Sequence, residues 1–168
     1  MYLHIQEAIS KGLNLSYRQN LDTGELFKDK PDVLSAGPLR VNLEARPEGR
    51  SVRVTGELAI DLEMACSRCL DPVKEQVTIP FEEVFVPSSA LSGDEDEDEI
   101  IVVKEEKVDL IPYIHEYTLL YLPFAPLCGS DCKGICPDCG QNLNERACGC
   151  SKDVINPKFA ALKDLFDS

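Results

Sequence analysis

The chain has 168 residues, 43% of them hydrophobic, which is enough to bury the core of one domain of ordinary size and a small appendage. Its 17 Lys and Arg against 30 Asp and Glu give a formal net charge of −13, which opposes non-specific binding to nucleic acid, because such binding needs cations to displace counterions from phosphates. No stretch approaches the ~20 apolar residues of a membrane helix, and the N-terminus lacks a signal-peptide pattern. A cytoplasmic protein with no membrane contact is therefore expected.

The first half of the chain is predicted to form mainly strands. Alternating Leu13, Leu15 and Tyr17 indicate a short strand near the start. From Val52 to Met64 the even positions are mainly apolar and the odd positions mainly polar, the period of a half-buried strand. Residues 39–44 show the same period, and the intervening "RPEGR" supplies the Pro and Gly of a turn. The two runs are predicted to form an antiparallel hairpin.

A further strand begins at Val77, but its alternation slips near Glu82 and Glu83. The following residues, 88–99, are predicted to be an acidic loop, because small side chains and six consecutive acids at Asp94 to Glu99 can bury nothing. No role is assigned to this acidic run. The segment "IIVVKEEKV" after it is predicted to return to the fold as a strand.

Helices are predicted only towards the C-terminal end. Asp109 as cap and Pro112 in the first turn favour a helix near 109–122. Asn156 and Pro157 favour a final helix over 153–168 that packs back on the domain. The predicted fold class is therefore α+β and mainly β: an antiparallel sheet domain over residues 1–125 with few helices, then a zinc-ribbon-like module over residues 126–152.

The eight cysteines fall into four pairs, at positions 66 and 69, 128 and 132, 136 and 139, and 148 and 150. In a chain without a signal peptide, such pairs favour metal binding over disulfides. Cys136 and Cys139 are separated by two residues, so one tight turn can direct both sulfurs at a single ion, and Gly140 can adopt the positive φ that this turn needs. Cys148 and Cys150 would complete a four-thiolate structural zinc site; free thiols or an iron–sulfur cluster are the alternatives.

A second zinc site is predicted from Cys66, Cys69, Cys128 and Cys132, provided that the fold brings the two distant pairs together. The competing hypotheses are a single site made of Cys128, Cys132, Cys136 and Cys139, and a redox role for Cys66 and Cys69. The redox hypothesis is the weaker, because a reactive CxxC usually opens a helix and this pair follows a strand. With both sites filled, eight thiolates and two Zn²⁺ would change the net charge from −13 to −17.

The sequence contains no recognisable catalytic motif. It has no Gly-rich phosphate loop, no nucleophile elbow and no carboxylate pair in a recognisable setting. A zinc ion held by four thiolates has no open position for a reacting water molecule. The chain is therefore predicted not to be an enzyme and to have no small-molecule substrate.

Four motifs in chain order give the sequence a family resemblance. These are "CSRCL" at 66–70, "PLCGSDCKGICPDCGQNLN" at 126–144, "CGC" at 148–150 and "NPKFAALKDL" at 156–165. Together they resemble the YceD family, the large ribosomal RNA subunit accumulation proteins of bacteria and plastids. The resemblance implies a non-enzymatic cytoplasmic factor needed for accumulation of 23S rRNA, and hence for biogenesis of the large ribosomal subunit.

The acidic charge leads to a hypothesis about the partner. A protein of this charge is predicted to bind a basic ribosomal protein or a large-subunit precursor particle, so that its contact with rRNA is indirect. The alternative is a zinc module that binds RNA directly in rRNA processing, using the local basic residues Lys133, Arg146, Lys152 and Lys158. An enzyme acting on rRNA, such as a nuclease, is a third and weaker hypothesis.

Overall fold

The structure, a computed structural model, describes residues 1–90 and 100–150. The acidic run at 94–99 and the predicted helix at 153–168 lie outside these residues. The described part is mainly β, as predicted. Its strands are β1 (Tyr2–His4), β2 (Leu15–Leu21), β3 (Val33–Ala36), β4 (Leu39–Glu48), β5 (Ser51–Ala65), β6 (Pro72–Pro87), β7 (Ile101–Val103) and β8 (Lys107–Asp109); its helices are α1 (Ile5–Lys11), α2 (Ile111–Leu120) and a 3₁₀ turn (Ser88–Ala90).

Six strands form the main sheet, in the order β2-β4-β5-β6-β7, with β3 beside the last part of β5. The predicted hairpin is confirmed: β4 and β5 pair from Arg40↔Ala59 to Glu48↔Ser51. Pro47 belongs to β4, so the turn is shorter than expected and Gly49 supplies its left-handed residue, with φ 63°. The sheet is antiparallel except at β7, which pairs in parallel with the end of β6. The predicted antiparallel sheet is therefore confirmed, with one parallel pair added at this edge.

The alternating positions of β5 point into the core. Val52, Val54, Leu58, Ile60 and Met64 are all fully buried. Their partners on β4 and β6 complete one apolar sheet face, and α1 and α2 pack on the same core cluster through Ile5, Ala8 and Ile114. The apolar residues that alternate in the sequence thus form a single buried face of the sheet.

The slip in alternation near Glu82 and Glu83 does not interrupt β6. The strand pairs with β5 without interruption from Ala65↔Pro72 to Val52↔Phe85, and Glu83 lies opposite Val54. Glu83 therefore occupies a core-facing position between Phe81 and Phe85, and the apparent slip in the sequence is a carboxylate standing where an apolar side chain would be expected. No register shift is involved.

Two further expectations need correction. A seven-residue helix, α1, follows β1 where only strands were predicted, and it ends at Gly12 in the left-handed conformation, with φ 62°. The segment expected to be one strand after the acidic run forms two strands in different sheets: β7 joins the main sheet, and β8 pairs with β1. Helix α2 spans Ile111–Leu120, inside the predicted range, but its N-cap residue is Leu110 and not Asp109, which ends β8. The Asp109 carboxylate still accepts a hydrogen bond from the Ile111 N–H at 3.2 Å.

Candidate metal centre

The fold gathers the eight cysteine sulfurs into two groups of four. Within each group the sulfurs all lie within 4.8 Å of one another. The first group contains Cys66, Cys69, Cys128 and Cys132, and the second contains Cys136, Cys139, Cys148 and Cys150. This is the grouping expected from the two-site hypothesis. The rival grouping of Cys128 and Cys132 with Cys136 and Cys139 is wrong.

The first group joins the end of the sheet to the chain that follows α2. Cys66 comes directly after β5, and both Cys66 and Cys69 are buried, as is Cys132. The sulfurs of Cys66 and Cys132 are 3.8 Å apart, and those of Cys69 and Cys128 are 3.4 Å apart. Around a tetrahedral zinc ion with Zn–S distances of about 2.3 Å, neighbouring sulfurs lie about 3.8 Å apart. The first group therefore has the spacing and the donor chemistry that fit such an ion.

Each group is built on the same tight turn. In the first turn the Leu70 N–H donates to the Cys66 carbonyl at 2.9 Å, and the Cys66 N–H donates to the Asp71 carbonyl at 2.8 Å. The second turn repeats both bonds: Gly140 N–H to Cys136 carbonyl at 2.9 Å, and Cys136 N–H to Gln141 carbonyl at 2.8 Å. The two turns are therefore equivalent supports for a CxxC pair.

The residue after the second cysteine has a positive φ in both turns. Gly140 has φ 72°, as the sequence predicted, whereas the first turn places Leu70 there with φ 66°. A left-handed conformation costs an L residue roughly 1–2 kcal/mol. The sequence analysis predicted a positive φ only where glycine follows the second cysteine, so it missed Leu70. The similar six-residue segments "CSRCLD" and "CPDCGQ" could have indicated that the two turns are alike.

Backbone N–H groups favour the thiolate form of the first cysteine in each turn. Burial acts to raise the pKa of Cys66, but the backbone N–H groups of Arg68, Cys69 and Cys128 lower it to about 6. In the second turn the backbone N–H groups of Cys139 and Asp138 lower the pKa of Cys136 to about 7. Because the thiolate is the form that binds metal, these turns prepare a ligand at near-neutral pH.

The crowding of four sulfurs has the opposite effect. The neighbouring sulfur of Cys139 is the main cause that raises the pKa of Cys150 to about 12. Four thiolates this close together repel one another, and a divalent cation at their centre would remove that repulsion. The donor set is all sulfur, which suits zinc or an iron–sulfur cluster and does not suit magnesium or calcium.

A short strap of polar contacts ties the cysteine-rich segment to the first CxxC turn. The Arg68 guanidinium donates to the Cys132 carbonyl at 3.0 Å, and the Arg68 carbonyl accepts from the Ile135 N–H at 3.0 Å. The side-chain amide of Asn142, which lies between Cys139 and Cys148 of the second group, donates to the Asp71 carboxylate at 3.1 Å. The cysteine-rich segment is therefore tied to the CxxC turn that ends the sheet.

Gly134 is the position where this strap is most sensitive. It has φ 76°, and an added Cβ would lie 3.0 Å from the Arg68 carbonyl oxygen that accepts the Ile135 N–H. Gly134→Ala is expected to destabilise the cysteine-rich segment by about 1–2 kcal/mol and to speed metal release to a chelator. Gly149→Ala is the control, because a Cβ there meets nothing within 4 Å. Equal release from both variants would contradict the role of the strap.

Comparison with known proteins supports the resemblance noted from the motifs. Residues 54–166 match the family described as large ribosomal RNA subunit accumulation protein YceD, a range that contains all eight cysteines. The chain belongs to the YceD family. No solved structure matches it.

Relatives of this YceD chain occur in bacteria and in a plant. It is 36% identical over 128 residues to an uncharacterised protein of Mycobacterium tuberculosis, covering 76% of this chain and 61% of that protein. It is 25% identical over 153 residues to the uncharacterised protein YlbN of Bacillus subtilis, covering 90% and 88%. It is 24% identical over 165 residues to the chloroplastic large ribosomal RNA subunit accumulation protein YCED homolog 1 of Arabidopsis thaliana, covering 82% and 51%. The chain thus spans about three fifths of the length of the mycobacterial relatives.

Proposed function

We propose that this YceD protein is a non-enzymatic ribosome biogenesis factor that promotes accumulation of 23S rRNA. The family match carries the proposal, since the family is described by its effect on the large ribosomal RNA subunit. In the cell, deletion of its gene should lower 23S rRNA relative to 16S rRNA, and the wild-type gene should restore the ratio. An unchanged ratio in the deletion strain would overturn the proposal.

The eight cysteines are proposed to hold two structural zinc ions. All-sulfur ligand sets, CxxC turns and thiolate-favouring N–H groups support this choice of metal. The zinc ions would keep the segment after α2 rigid and attached to the sheet, so that it can serve as a docking surface. A four-thiolate site leaves no coordination position for water, which agrees with a structural role.

The direct partner is proposed to be a basic ribosomal protein or an assembling large-subunit particle. The chain carries a net charge of −13, so bare RNA would be repelled and a basic protein attracted. The alternative is direct RNA binding by the cysteine-rich segment, using Lys133, Arg146, Lys152 and Lys158. In the described part of that segment, the Arg146 guanidinium already donates to Gln141 at 2.8 Å.

Capture experiments at two salt concentrations separate these partners. Purified protein on a resin is expected to retain ribosomal proteins from a ribosome-salt wash at low salt and to release them at high salt, because the contact is electrostatic. The same resin is offered deproteinised rRNA. Retention of that rRNA without any ribosomal protein, abolished by reversing Lys133 and Arg146 to Glu, would replace this proposal with the RNA-binding one.

A further inference from the structure

Glu83 lies on the apolar face of the main sheet. It shares this face of β6 with Phe81 and Phe85, which are 2% and 0% exposed. Helix α2 covers the two phenylalanines with tyrosines: the Tyr117 ring centroid is 4.6 Å from that of Phe81, and the Tyr113 ring stands edge-on to Phe85 at 5.3 Å. The Glu83 carboxylate therefore lies on a surface that also carries these four aromatic rings.

A cleft of about 840 Å³ opens beside the two tyrosines, between α2, β6 and the start of β7. Three acids line it, together with one base and a set of apolar and aromatic side chains. The lining residues are Arg53, Glu82, Glu83, Val84, Ile100, Ile101, Tyr113, Glu116, Tyr117 and Leu120. We call this the Glu83 cleft. It combines negative charge with aromatic surface, unlike the mainly apolar pockets that hold small molecules.

The negative charge of the cleft is not balanced within the described residues. Arg53, the one base in the lining, is already paired with Glu48 at 2.9 Å and with Glu82 at 2.6 Å. Among the described residues, no ion pair joins a lysine or arginine to Glu83 or Glu116. Burial raises the pKa of Glu83, and the negative charge of Glu116 adds to the rise. The Tyr117 hydroxyl donates its proton to the Glu82 backbone carbonyl at 2.7 Å.

The same carboxylates also change the pKa values of the two tyrosines. Burial raises the pKa of Tyr113, and the carboxylates of Glu83 and Glu116 raise it further. Burial and Glu83 raise the pKa of Tyr117 to about 12. The faces of neutral tyrosine rings are electron-rich and attract cations.

Exposed apolar residues extend the surface beyond the cleft. Leu120, one of the lining residues, is 72% exposed. Tyr121 stacks on Tyr117, with ring centroids 6.4 Å apart and planes 8° from parallel, and is 46% exposed. Large apolar residues exposed next to one another commonly mark an interaction surface.

We propose that the Glu83 cleft binds an arginine- or lysine-containing segment of a basic partner protein, with a cation placed between Glu83, Glu116 and the tyrosine rings. An apolar side chain of the same segment would cover Leu120. The inference rests on the proposed function, which it deepens by naming the surface that receives the basic partner. A polyanion does not fit, because its phosphates would meet three carboxylates.

A peptide titration tests the Glu83 cleft directly. The 168-residue protein is titrated with a fluorescent synthetic peptide of arginine and leucine, and with the same peptide in which citrulline replaces arginine. We expect salt-sensitive binding of the arginine peptide and about tenfold weaker binding by the double variant Glu83→Gln/Glu116→Gln. The control, Glu57→Gln/Glu105→Gln, has the same change in net charge outside the cleft and should bind like wild type. Equal weakening by the two double variants, or equal binding of the two peptides, would overturn the proposal.

Stability measurements show whether Glu83→Gln keeps the fold. A raised pKa means that the folded protein binds a proton at Glu83 more readily than the unfolded chain does, so Glu83 stabilises the wild type at low pH and this contribution is lost as pH rises. At neutral pH Glu83→Gln should therefore unfold at the same temperature as wild type or higher. If it unfolds at a lower temperature, the peptide titration is judged with Glu116→Gln alone, since Glu116 is exposed on α2.

The outcome for the Glu83 cleft can be separated from the outcome for the proposed function. If the wild type and the Glu83→Gln/Glu116→Gln variant retain ribosomal proteins equally, the cleft assignment fails and the proposed function stands. If deletion of the gene leaves 23S rRNA unchanged while the arginine peptide binds as expected, the proposed function fails and the cleft remains a site for basic segments.

Discussion

Two zinc ions per chain are expected in the purified protein, and Cys66→Ser is expected to remove one of them. Serine cannot replace a buried thiolate ligand, and the Cys66 sulfur lies 3.8 Å from the Cys132 sulfur in the first group. Cys136→Ser is the matched variant in the second group and should also leave one zinc. Elemental analysis with zinc, iron and protein measured on the same sample gives the stoichiometry. One zinc in the wild type, or iron with visible absorption, would contradict the two-zinc arrangement.

The effect on structure should be large and local. Apparent zinc binding in small sites amounts to about 10–16 kcal/mol at neutral pH, whereas fully burying one large apolar side chain gives about 1.5–3 kcal/mol. The described cysteine-rich segment has few apolar residues, and one of them, Ile135, is 39% exposed. Chelation is therefore expected to unfold this segment while the sheet, which has its own core, keeps its structure.

Hydrogen exchange distinguishes the two cysteine variants. In Cys136→Ser the amides of residues 133–150 should lose protection, while the first CxxC turn keeps it. In Cys66→Ser the link between the sheet and the cysteine-rich segment is broken, so the bond from the Ile135 N–H to the Arg68 carbonyl should also open. Uniform loss of protection across β4, β5 and β6 in Cys136→Ser would show that the segment is part of the main core.

The sequence predicted the parts of the fold that depend on local periodicity. Residues of β5 alternate because one face is buried and the other is in water, and this pattern identified both the strand and its hairpin. The spacing of the cysteines likewise identified both CxxC turns. The joining of Cys66 to Cys132, 66 residues away in sequence, could be offered only as a hypothesis, because it depends on how β5 and the chain after α2 meet.

The missed features are short or depend on tertiary contacts. Helix α1 has seven residues, too few to be stable alone, and it is held by packing of Ile5 and Ala8 on the sheet. Its signals were Gly12 as the left-handed cap and the pair Glu7 and Lys11, whose charged atoms lie 2.6 Å apart. The parallel pairing of β7 has no local signal, since it depends on where the chain returns after the acidic run.

Glu83 is the residue at which β6 departs from its alternating apolar pattern while keeping its pairing with β5. The sequence rule that core-facing positions are apolar suggested a slip in β6, yet the register is continuous. A charged residue at such a position costs free energy, and a site that keeps it commonly does so for a function. The departure from the rule therefore led to the Glu83 cleft, which the apolar pattern alone could not have indicated.

Gly56→Ala is expected to be among the most destabilising single substitutions in the main sheet. Gly56 lies in the middle of β5, between Leu43 on β4 and Phe81 on β6. A Cβ at this position would overlap the Asn42 carbonyl oxygen and come within 2.9 Å of the Leu43 Cα, and these backbone atoms cannot move without separating the strands. The φ of 155° is also one that residues with a side chain rarely adopt. Overpacking and backbone strain together should lower the free energy of unfolding by about 3 kcal/mol or more.

Gly37→Ala is the matched control for Gly56→Ala. A Cβ at Gly37 would lie 3.5 Å from the Asp61 carbonyl oxygen, an ordinary contact, and the bond from the Gly37 N–H to that oxygen would be kept. Because alanine also restricts the unfolded chain, this variant should remain within about 1 kcal/mol of wild type. Urea unfolding followed by circular dichroism measures both variants. Equal midpoints for the two would mean that β4 and β5 can separate at Gly56 without cost, which would contradict the close pairing from which the whole sheet is built.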